Sequence, residues 1–237
     1  MGVINLLTDC EYACLTMRIL SIVSQKGGAG KTTLATHLAV AAHLAGLKAG
    51  VLDLDPQSSA SKWGDIREED PLVTDAKAER LPKFVEAARG LGMEFLILDT
   101  PPSASNEAHH AIAASDLIIV PCRPGFYDLA AIKNSILASR NQGKPAFVVF
   151  NAAAPRTDLQ VKEVQQSLVR DGIGVVDGII HQRAVFNTSA GYGRTAQEVE
   201  PDGKAAEEIR QLYGWVANQV GLPTGKQTNK RRKAGAR

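Results

Sequence analysis

Apolar runs of four to six residues alternate with longer, mixed stretches along most of the chain. The runs are nearly continuous rather than interrupted at every second position, which is typical of strands covered on both faces. They predict strands at residues 19–24, 49–54, 93–98, 117–120, 146–150 and, as a last strand, 178–181. Helices are expected between them, at residues 32–45, 81–89, 106–114, 129–141, 159–170 and 202–220.

This order of elements predicts the fold class. Repeated strand–helix–strand units are joined by right-handed crossovers and therefore build a parallel sheet. We expect an α/β protein with a single doubly wound, mostly parallel sheet and helices on both faces. Residues 17–221 would form this one domain, after an N-terminal extension (1–16) and before a basic, flexible tail (222–237). Residues 1–16 have no basic start and therefore do not resemble a signal peptide. Met17 opens the stretch in which the first strand begins, and it is our hypothesis for the natural first residue.

A phosphate-binding loop is expected in the segment SQKGGAGKTT, residues 24–33, between the first strand and the first helix. Glycines let backbone N–H groups crowd around phosphate oxygens, and the helix start adds free N–H groups and its dipole. Lys31 can reach the β- and γ-phosphates, and the Thr32 hydroxyl can coordinate Mg²⁺. This is a P-loop nucleotide site with ATP and Mg²⁺ as expected cofactors. Its expected residues are Gly27, Gly28, Ala29, Gly30, Lys31, Thr32 and Thr33.

The loop departs from the usual G-x4-G-K-[ST] pattern because Gln25 stands where a glycine is expected and Lys26 follows it. In this form, KGGAGKTT resembles the deviant Walker A motif of the ParA/MinD family, and the resemblance extends over residues 17–220. It implies that ATP is sandwiched in a homodimer and that Lys26 reaches the nucleotide of the partner subunit. Lys26, Lys31 and Asp55 are the catalytic residues on this resemblance.

Three carboxylates follow strands near the expected phosphate site. Asp53 and Asp55 lie in LDLDPQSS, and Asp99 ends the apolar run FLILD as in a Walker B motif. A carboxylate beside Mg²⁺ stays ionised because the cation favours its charged form. The resemblance implies that Asp55 positions the attacking water and that Thr32, Asp53 and Asp99 serve the metal. The alternative for the first two carboxylates is a turn-capping role.

Two further regions bring candidate binding residues. Asn151 follows the strand at 146–150, and the family resemblance implies that it recognises adenine; the alternative is a turn-forming asparagine. The segment 181–213 resembles the region in which ParA-type partition proteins bind DNA without sequence preference. Candidates for these phosphate contacts are Arg183, Lys204, Arg210, Lys230, Arg231 and Arg232, each of which could instead be a solvated charge.

Charge is unevenly distributed along the chain. The net charge is +2, yet six basic and no acidic residues follow Gly225, which leaves 21 basic against 25 acidic residues elsewhere. Such a tail can attract nucleic acid or an anionic surface, or it can be a solvated end. Three cysteines (Cys10, Cys14 and Cys122) make no disulfide framework and suit a reducing cytosol.

The expected function is that of a ParA-like ATPase that forms an ATP-dependent dimer, binds non-specific DNA and drives plasmid or chromosome partition. Hydrolysis would be slow and stimulated by a ParB-like or other partner protein, and the protein would be cytoplasmic and nucleoid-associated. Two alternatives remain open. One is a related ATPase that positions a protein assembly on the nucleoid. The other is a MinD-like membrane-associated ATPase, which the tail disfavours because it lacks an apolar helix face.

Overall fold

The computed structural model describes residues 16–102 and 105–224, with the backbone alone for residues 126–131. The strands are β1 (Arg18–Ile22), β2 (Ala49–Asp53), β3 (Leu72–Asp75), β4 (Phe95–Asp99), β5 (Leu117–Cys122), β6 (Ala146–Ala153) and β7 (Gly174–His181). The α-helices are α1 (Lys31–Leu44), α2 (Ser59–Ile66), α3 (Leu81–Gly90), α4 (Asn106–Ala114), α5 (Phe126–Asn141), α6 (Asp158–Arg170), α7 (Ala184–Ala190), α8 (Ala196–Val199) and α9 (Lys204–Val220).

The strands form one sheet in the order β3-β2-β4-β1-β5-β6-β7. Every pairing among the described strands is parallel, so the expected fold class is confirmed and "mostly parallel" becomes wholly parallel in this part of the chain. From β1 the chain crosses to β2 and β3 on one side of the sheet and comes back to β4 beside β1. It then continues on the other side of β1 with β5, β6 and β7. Ligands of doubly wound sheets bind at the carboxyl ends of the strands beside such a reversal.

Alternate side chains of each central strand enter different hydrophobic clusters. Leu20 and Ile22 of β1 pack into the cluster that includes α1 and α9, whereas Ile19 and Val23 face the helices of the opposite layer. A strand places successive side chains on opposite faces, so both faces must be apolar to be covered by helices. This is the physical reason for the continuous apolar runs in the sequence.

The sequence-based elements were confirmed in position, but several were missed. β3 is an edge strand with a largely exposed, mixed sequence (LVTD), and α2 contains the small residues of SASKWGDI, so neither carries a strong pattern. The short helices α7 and α8 were missed as well. β7 begins at Gly174 rather than 178, because Gly178 (φ +136°) interrupts the apolar pattern inside the strand. The extension up to residue 15 and the tail from residue 225 lie outside the described residues.

None of the helices in the described part of the chain is long and apolar enough to cross a membrane.

Candidate functional site

A cavity of about 390 Å³ opens at the carboxyl ends of the strands, at the place that the reversal of strand order predicts. Its walls combine the phosphate loop with segments that are distant in sequence. Asp55 follows β2, Asn151 lies in β6, and Arg183 follows β7. The sheet therefore brings together most of the residues that the sequence singled out for nucleotide binding.

The phosphate loop spans the turn between β1 and α1. Gly28 (φ +72°) and Gly30 (φ +88°) adopt left-handed conformations, which residues with a Cβ rarely accept. Gly30 also meets a steric limit, since a Cβ added there would lie 2.1 Å from Asn151 Nδ2. The glycines are thus required by the fold of the loop itself as well as by the approach of a phosphate.

Asn151, in β6 of the same sheet, holds the phosphate loop through a hydrogen bond. Its buried side-chain amide donates to the carbonyl oxygen of Ala29 at 2.7 Å. This contact joins the carboxyl end of β6 to the turn before α1. The proposed recognition of adenine by Asn151 stays a prediction, while the structure shows that the residue positions the loop.

Thr32 and Asp99 form a pair at the base of the cavity. The Thr32 hydroxyl donates to Asp99 Oδ2 at 2.6 Å, while Asp99 Oδ1 is buried and has no hydrogen-bond partner. Burial raises the pKa of Asp99 to about 7, partly opposed by the Thr32 hydrogen bond. A buried carboxylate oxygen without a donor next to a hydroxyl fits a hydrated Mg²⁺, which takes oxygen ligands and keeps several waters.

Lys31 is the cation at the floor of the site. It is buried, and its Nζ donates to the carbonyl oxygen of Lys26 at 3.4 Å. Burial lowers the pKa of Lys31, and the charges of Asp99 and Asp55 act in the opposite direction. A buried ammonium group that makes one long hydrogen bond to the described part of the chain is suited to receive a phosphate oxygen.

The two carboxylates of the DLD sequence have different surroundings. Asp53 is buried, and its oxygens accept hydrogen bonds from the backbone N–H groups of Asp55, Ala60 and Ser61. Its carboxylate therefore fixes the turn into α2, and its expected place near the metal stays a prediction. Asp55 instead lines the cavity, where its Oδ1 accepts from Gln57 N at 2.9 Å.

The DNA-binding candidates do not share one surface. Arg183 is in the cavity wall and pairs with Glu208. Lys204 is exposed at the start of α9, and Arg210 is on the same helix, where it pairs with Glu207. Lys230, Arg231 and Arg232 lie beyond the described residues. Their role in DNA binding stays a prediction.

The sequence reasoning missed two polar groups of the cavity wall. His181, at the end of β7, contacts Glu208 at 2.9 Å and Asp158 at 2.8 Å. Burial opposes the charged imidazolium, but the hydrogen bonds to both carboxylates prevail and raise the pKa of His181. Arg123 follows β5 and lines the cavity beside the phosphate loop. Their position directly after an apolar run was the available signal, since the carboxyl ends of parallel strands meet at one edge.

The structure combines a parallel α/β fold, a P-loop, a buried lysine and a Thr–Asp pair. These features define a nucleotide-binding domain of the P-loop nucleoside triphosphatases. Comparison with known families then specifies it further. The chain belongs to the family described as the CobQ/CobB/MinD/ParA nucleotide binding domain, which matches residues 20–196. The resemblance inferred from KGGAGKTT is thereby confirmed, and the chain is an ATPase of the ParA/MinD family.

This chain matches individual relatives over nearly their whole length. A "Maintenance of carboxysome distribution protein A" from Gloeobacter kilaueensis is 32% identical over 204 residues, which is 81% of this chain and 94% of the relative. The "Chromosome-partitioning ATPase Soj" of Thermus thermophilus is 24% identical, over 86% of this chain and 97% of the relative. The structure of the septum site-determining protein MinD from Pyrococcus horikoshii OT3, complexed with Mg-ADP, is similar with a TM-score of 0.72 at 20% identity, covering 87% of this chain and 98% of MinD.

Proposed function

We propose that this protein is an ATP-dependent switch that binds non-specific DNA as an ATP-bound dimer and positions a cargo through repeated binding and release. The observation that carries the proposal is the preformed phosphate site, in which Thr32 donates to Asp99 and Asp99 Oδ1 has no partner. A buried carboxylate oxygen without a hydrogen-bond partner lowers the stability of the fold unless a ligand group interacts with it. Mg²⁺ together with a triphosphate supplies that group.

Each residue of the site has a defined task in this proposal. The phosphate loop binds the phosphate chain through its backbone N–H groups, and Lys31 neutralises charge on the β- and γ-phosphates. Thr32 and Asp99 would hold the Mg²⁺, which would supply positive charge beside the phosphate oxygens. Asp55, at the open side of the cavity, orients the attacking water.

Dimer formation is the step that connects ATP to DNA. The family resemblance assigns Lys26 to the nucleotide of the partner subunit, so an ATP-bound pair would be stabilised across the interface and separated by hydrolysis. DNA phosphates would be bound by the basic tail and by exposed residues of α9 such as Lys204. Binding of this type rests on phosphate contacts and counterion release, so it has no sequence preference and weakens with salt.

The cargo has two candidates, each supported by a relative. The Thermus relative is named as a chromosome-partitioning ATPase, which favours partition of a plasmid or chromosome. The Gloeobacter relative is named for the distribution of carboxysomes, which favours the positioning of a protein assembly. Both cargoes use the same ATP-driven cycle, because the cycle depends on the nucleotide site rather than on the cargo.

The decisive experiment measures retention of a random-sequence DNA duplex with ATP and Mg²⁺, with ADP and Mg²⁺, and without nucleotide. We expect retention with ATP alone, together with a shift from monomer to dimer in light scattering. Lys31→Ala should lose both ATP binding and DNA retention, because it removes the cation that meets the phosphates. Equal retention in all three nucleotide states would contradict the proposed switch.

The cargo is then identified from the gene next to this one. A neighbouring gene for a DNA-binding protein that recognises repeated sites would favour partition. The purified product of that gene should raise the ATPase rate in the presence of DNA. Stimulation by a protein that binds a multiprotein assembly, and not DNA sites, would assign the second cargo.

A further inference from the structure

Arg123 occupies a place in the nucleotide site that the sequence motifs did not indicate. It directly follows β5, which pairs in parallel with β1, and β1 leads into the phosphate loop. Parallel neighbours end at the same edge of a sheet, so the turn after β5 must lie beside the phosphate loop. The tertiary structure confirms this adjacency, because Arg123 lines the same cavity as Gly28 and Lys31.

The backbone of Arg123 is fixed while its side chain is exposed. Its carbonyl oxygen accepts from the N–H of Gly125 at 2.7 Å and from the thiol of Cys122 at 3.0 Å. The guanidinium group extends toward the loop: a Cβ added to Gly28 would lie 3.8 Å from Arg123 Nη2. The guanidinium group therefore lies at the rim of the cavity, on the side of the phosphate loop.

Arg123 has no acidic partner among the side chains that the structure describes. Among the described side chains, those of residues 16–102, 105–125 and 132–224, no carboxylate lies at ion-pair distance from its guanidinium, whereas Arg183 pairs with Glu208 in the same cavity. The negative charges of Asp99 and Asp55, in contrast, act on Lys31, whose pKa they raise against the effect of burial. An arginine held near a lysine without an acidic partner raises the positive potential at this spot, and an anion is the group that relieves it.

The geometry of a guanidinium group narrows the choice of anion. Its planar set of N–H donors matches the oxygens of a phosphate, and such charge-assisted hydrogen bonds are about twice as strong as neutral ones. We propose that Arg123 binds a phosphate oxygen of the nucleotide held by the phosphate loop of its own subunit. This inference rests on the proposed ATP binding and adds a second cation from the turn after β5.

The test compares nucleotide affinity among four proteins: the unchanged chain, Arg123→Gln, Arg123→Lys and Arg170→Gln. Arg170 is exposed at the end of α6 and does not line the cavity, so its variant controls for the loss of one surface arginine. Titration calorimetry with ADP and with ATP, each with Mg²⁺ and without DNA, gives the affinities. Sedimentation of the same samples gives the oligomeric state.

We expect Arg123→Gln to weaken the binding of both ADP and ATP by roughly 10- to 100-fold, the range for one lost charge-assisted hydrogen bond. Arg123→Lys should bind more tightly than Arg123→Gln because it retains the charge, and Arg170→Gln should match the unchanged chain. The thermal unfolding temperature without nucleotide should be the same for Arg123→Gln and the unchanged chain, since the side chain is exposed.

Other results overturn the inference. Unchanged affinities for both nucleotides in Arg123→Gln would do so, and so would an equal loss in the lysine and glutamine variants. A loss that appears only with ATP and follows dimer formation would assign Arg123 to the partner's nucleotide or to the interface, which also contradicts a contact within one subunit. If the unchanged chain binds neither nucleotide, the proposed function itself fails, and that outcome is distinct from all of these.

Discussion

Gly30 lies in the phosphate loop directly beside Asn151 of β6. Its left-handed backbone places the loop against Asn151, whose amide donates to Ala29 O at 2.7 Å. Because Gly30 has no side chain, it leaves room for the amide of Asn151. This amide in turn binds the carbonyl of Ala29, the residue before Gly30. This contact restrains the loop, which lowers the conformational cost of binding a ligand there.

Substitution of Gly30 tests this arrangement. Gly30→Ala should lower the free energy of unfolding by about 2 kcal/mol or more, because the new Cβ meets Asn151 and the positive φ becomes strained. Gly27→Ala is the matched control, since a Cβ there has nothing within 4 Å. Urea unfolding without nucleotide should place the control within about 0.5 kcal/mol of the unchanged chain. Equal effects of the two substitutions would count against the described packing.

His37 is a second residue with a testable environment. Its Nδ1 lies 2.7 Å from Thr33 O, so it carries the proton and donates, while Nε2 accepts from the N–H of Ala196 at 3.1 Å. This pattern requires a neutral ring. Burial lowers the pKa of His37 to about 4, although Thr33 O and Glu198 act in the opposite direction.

The lowered pKa predicts a loss of stability in acid. The folded state takes up the His37 proton less readily than the unfolded state, so the contribution of His37 is complete above pH 6.5 and is lost as the pH falls toward 4. The loss amounts to about 3 kcal/mol. Urea unfolding across this range should show a shallower pH dependence for His37→Gln. Parallel curves for the two proteins would refute the neutral, buried histidine.

At the scale of elements, hydrogen bonds and an ion pair connect the end of α2 to the segment between α7 and α9. Arg67, which follows α2, forms a bidentate pair with Glu198 of α8 at 2.7 and 3.1 Å and donates to Gly193 O at 3.0 Å. Glu198 also completes a capping box with Thr195 at the start of α8. Because the turn before α2 carries Asp55, this pair links one wall of the nucleotide cavity to the C-terminal helices.

The burial of this pair predicts its energetic weight. Arg67→Ala should lower the free energy of unfolding by about 3–5 kcal/mol, because it leaves the Glu198 carboxylate without its cation. Arg210→Ala is the control, since the Arg210–Glu207 pair has side chains 47% and 54% exposed against 5% and 17% for Arg67 and Glu198. Exposed pairs contribute at most about 1 kcal/mol. Similar losses in both variants, measured in urea, would contradict this assignment.

At the scale of the whole molecule, the parallel sheet collects the ends of separate strands into one cavity. The phosphate loop follows β1, Asp55 follows β2, Asp99 ends β4 and Asn151 lies in β6. In the proposed function, binding and hydrolysis therefore depend on different strands of the same sheet. We therefore expect that a substitution can remove hydrolysis and leave binding.

Asp55→Ala should separate the two activities. Asp55 lines the cavity, and in the part of the chain that the structure describes it makes no hydrogen bond to the phosphate loop. The variant should bind ATP and retain DNA, but hydrolyse ATP at least about 100-fold more slowly, because the water is no longer oriented. Phosphate release with saturating DNA and ATP measures this rate. Hydrolysis at the unchanged rate would remove Asp55 from its proposed role.

The basic tail should determine the salt dependence of DNA binding. Removing the residues after Gly225 deletes six cations. If all of them contact phosphates, the slope of log affinity against log salt falls by up to about 5. ATP affinity, measured on the same protein, is the control and should not change. An unchanged slope would show that the tail takes no part in DNA binding.

The sequence by itself determined the parts of the protein that are local. The phosphate loop is one contiguous segment whose glycines, lysine and threonine act through their own backbone, and the continuous apolar runs define strands because burial on two faces requires them. From these, the fold class and the nucleotide ligand follow. Asp99 was found in the same way, since it ends a strand and therefore lies at a known edge of the sheet.

Only the tertiary structure decided which distant residues meet. Arg183, a candidate for DNA contact, lies in the cavity wall and pairs with Glu208, because β7 ends beside α9. The contact of Asn151 with Ala29, the pairing of Arg67 with Glu198 and the position of Arg123 all depend on the order of strands in the sheet. No pattern along the chain encodes that order directly, because contacts between residues about a hundred positions apart arise from packing rather than from local periodicity.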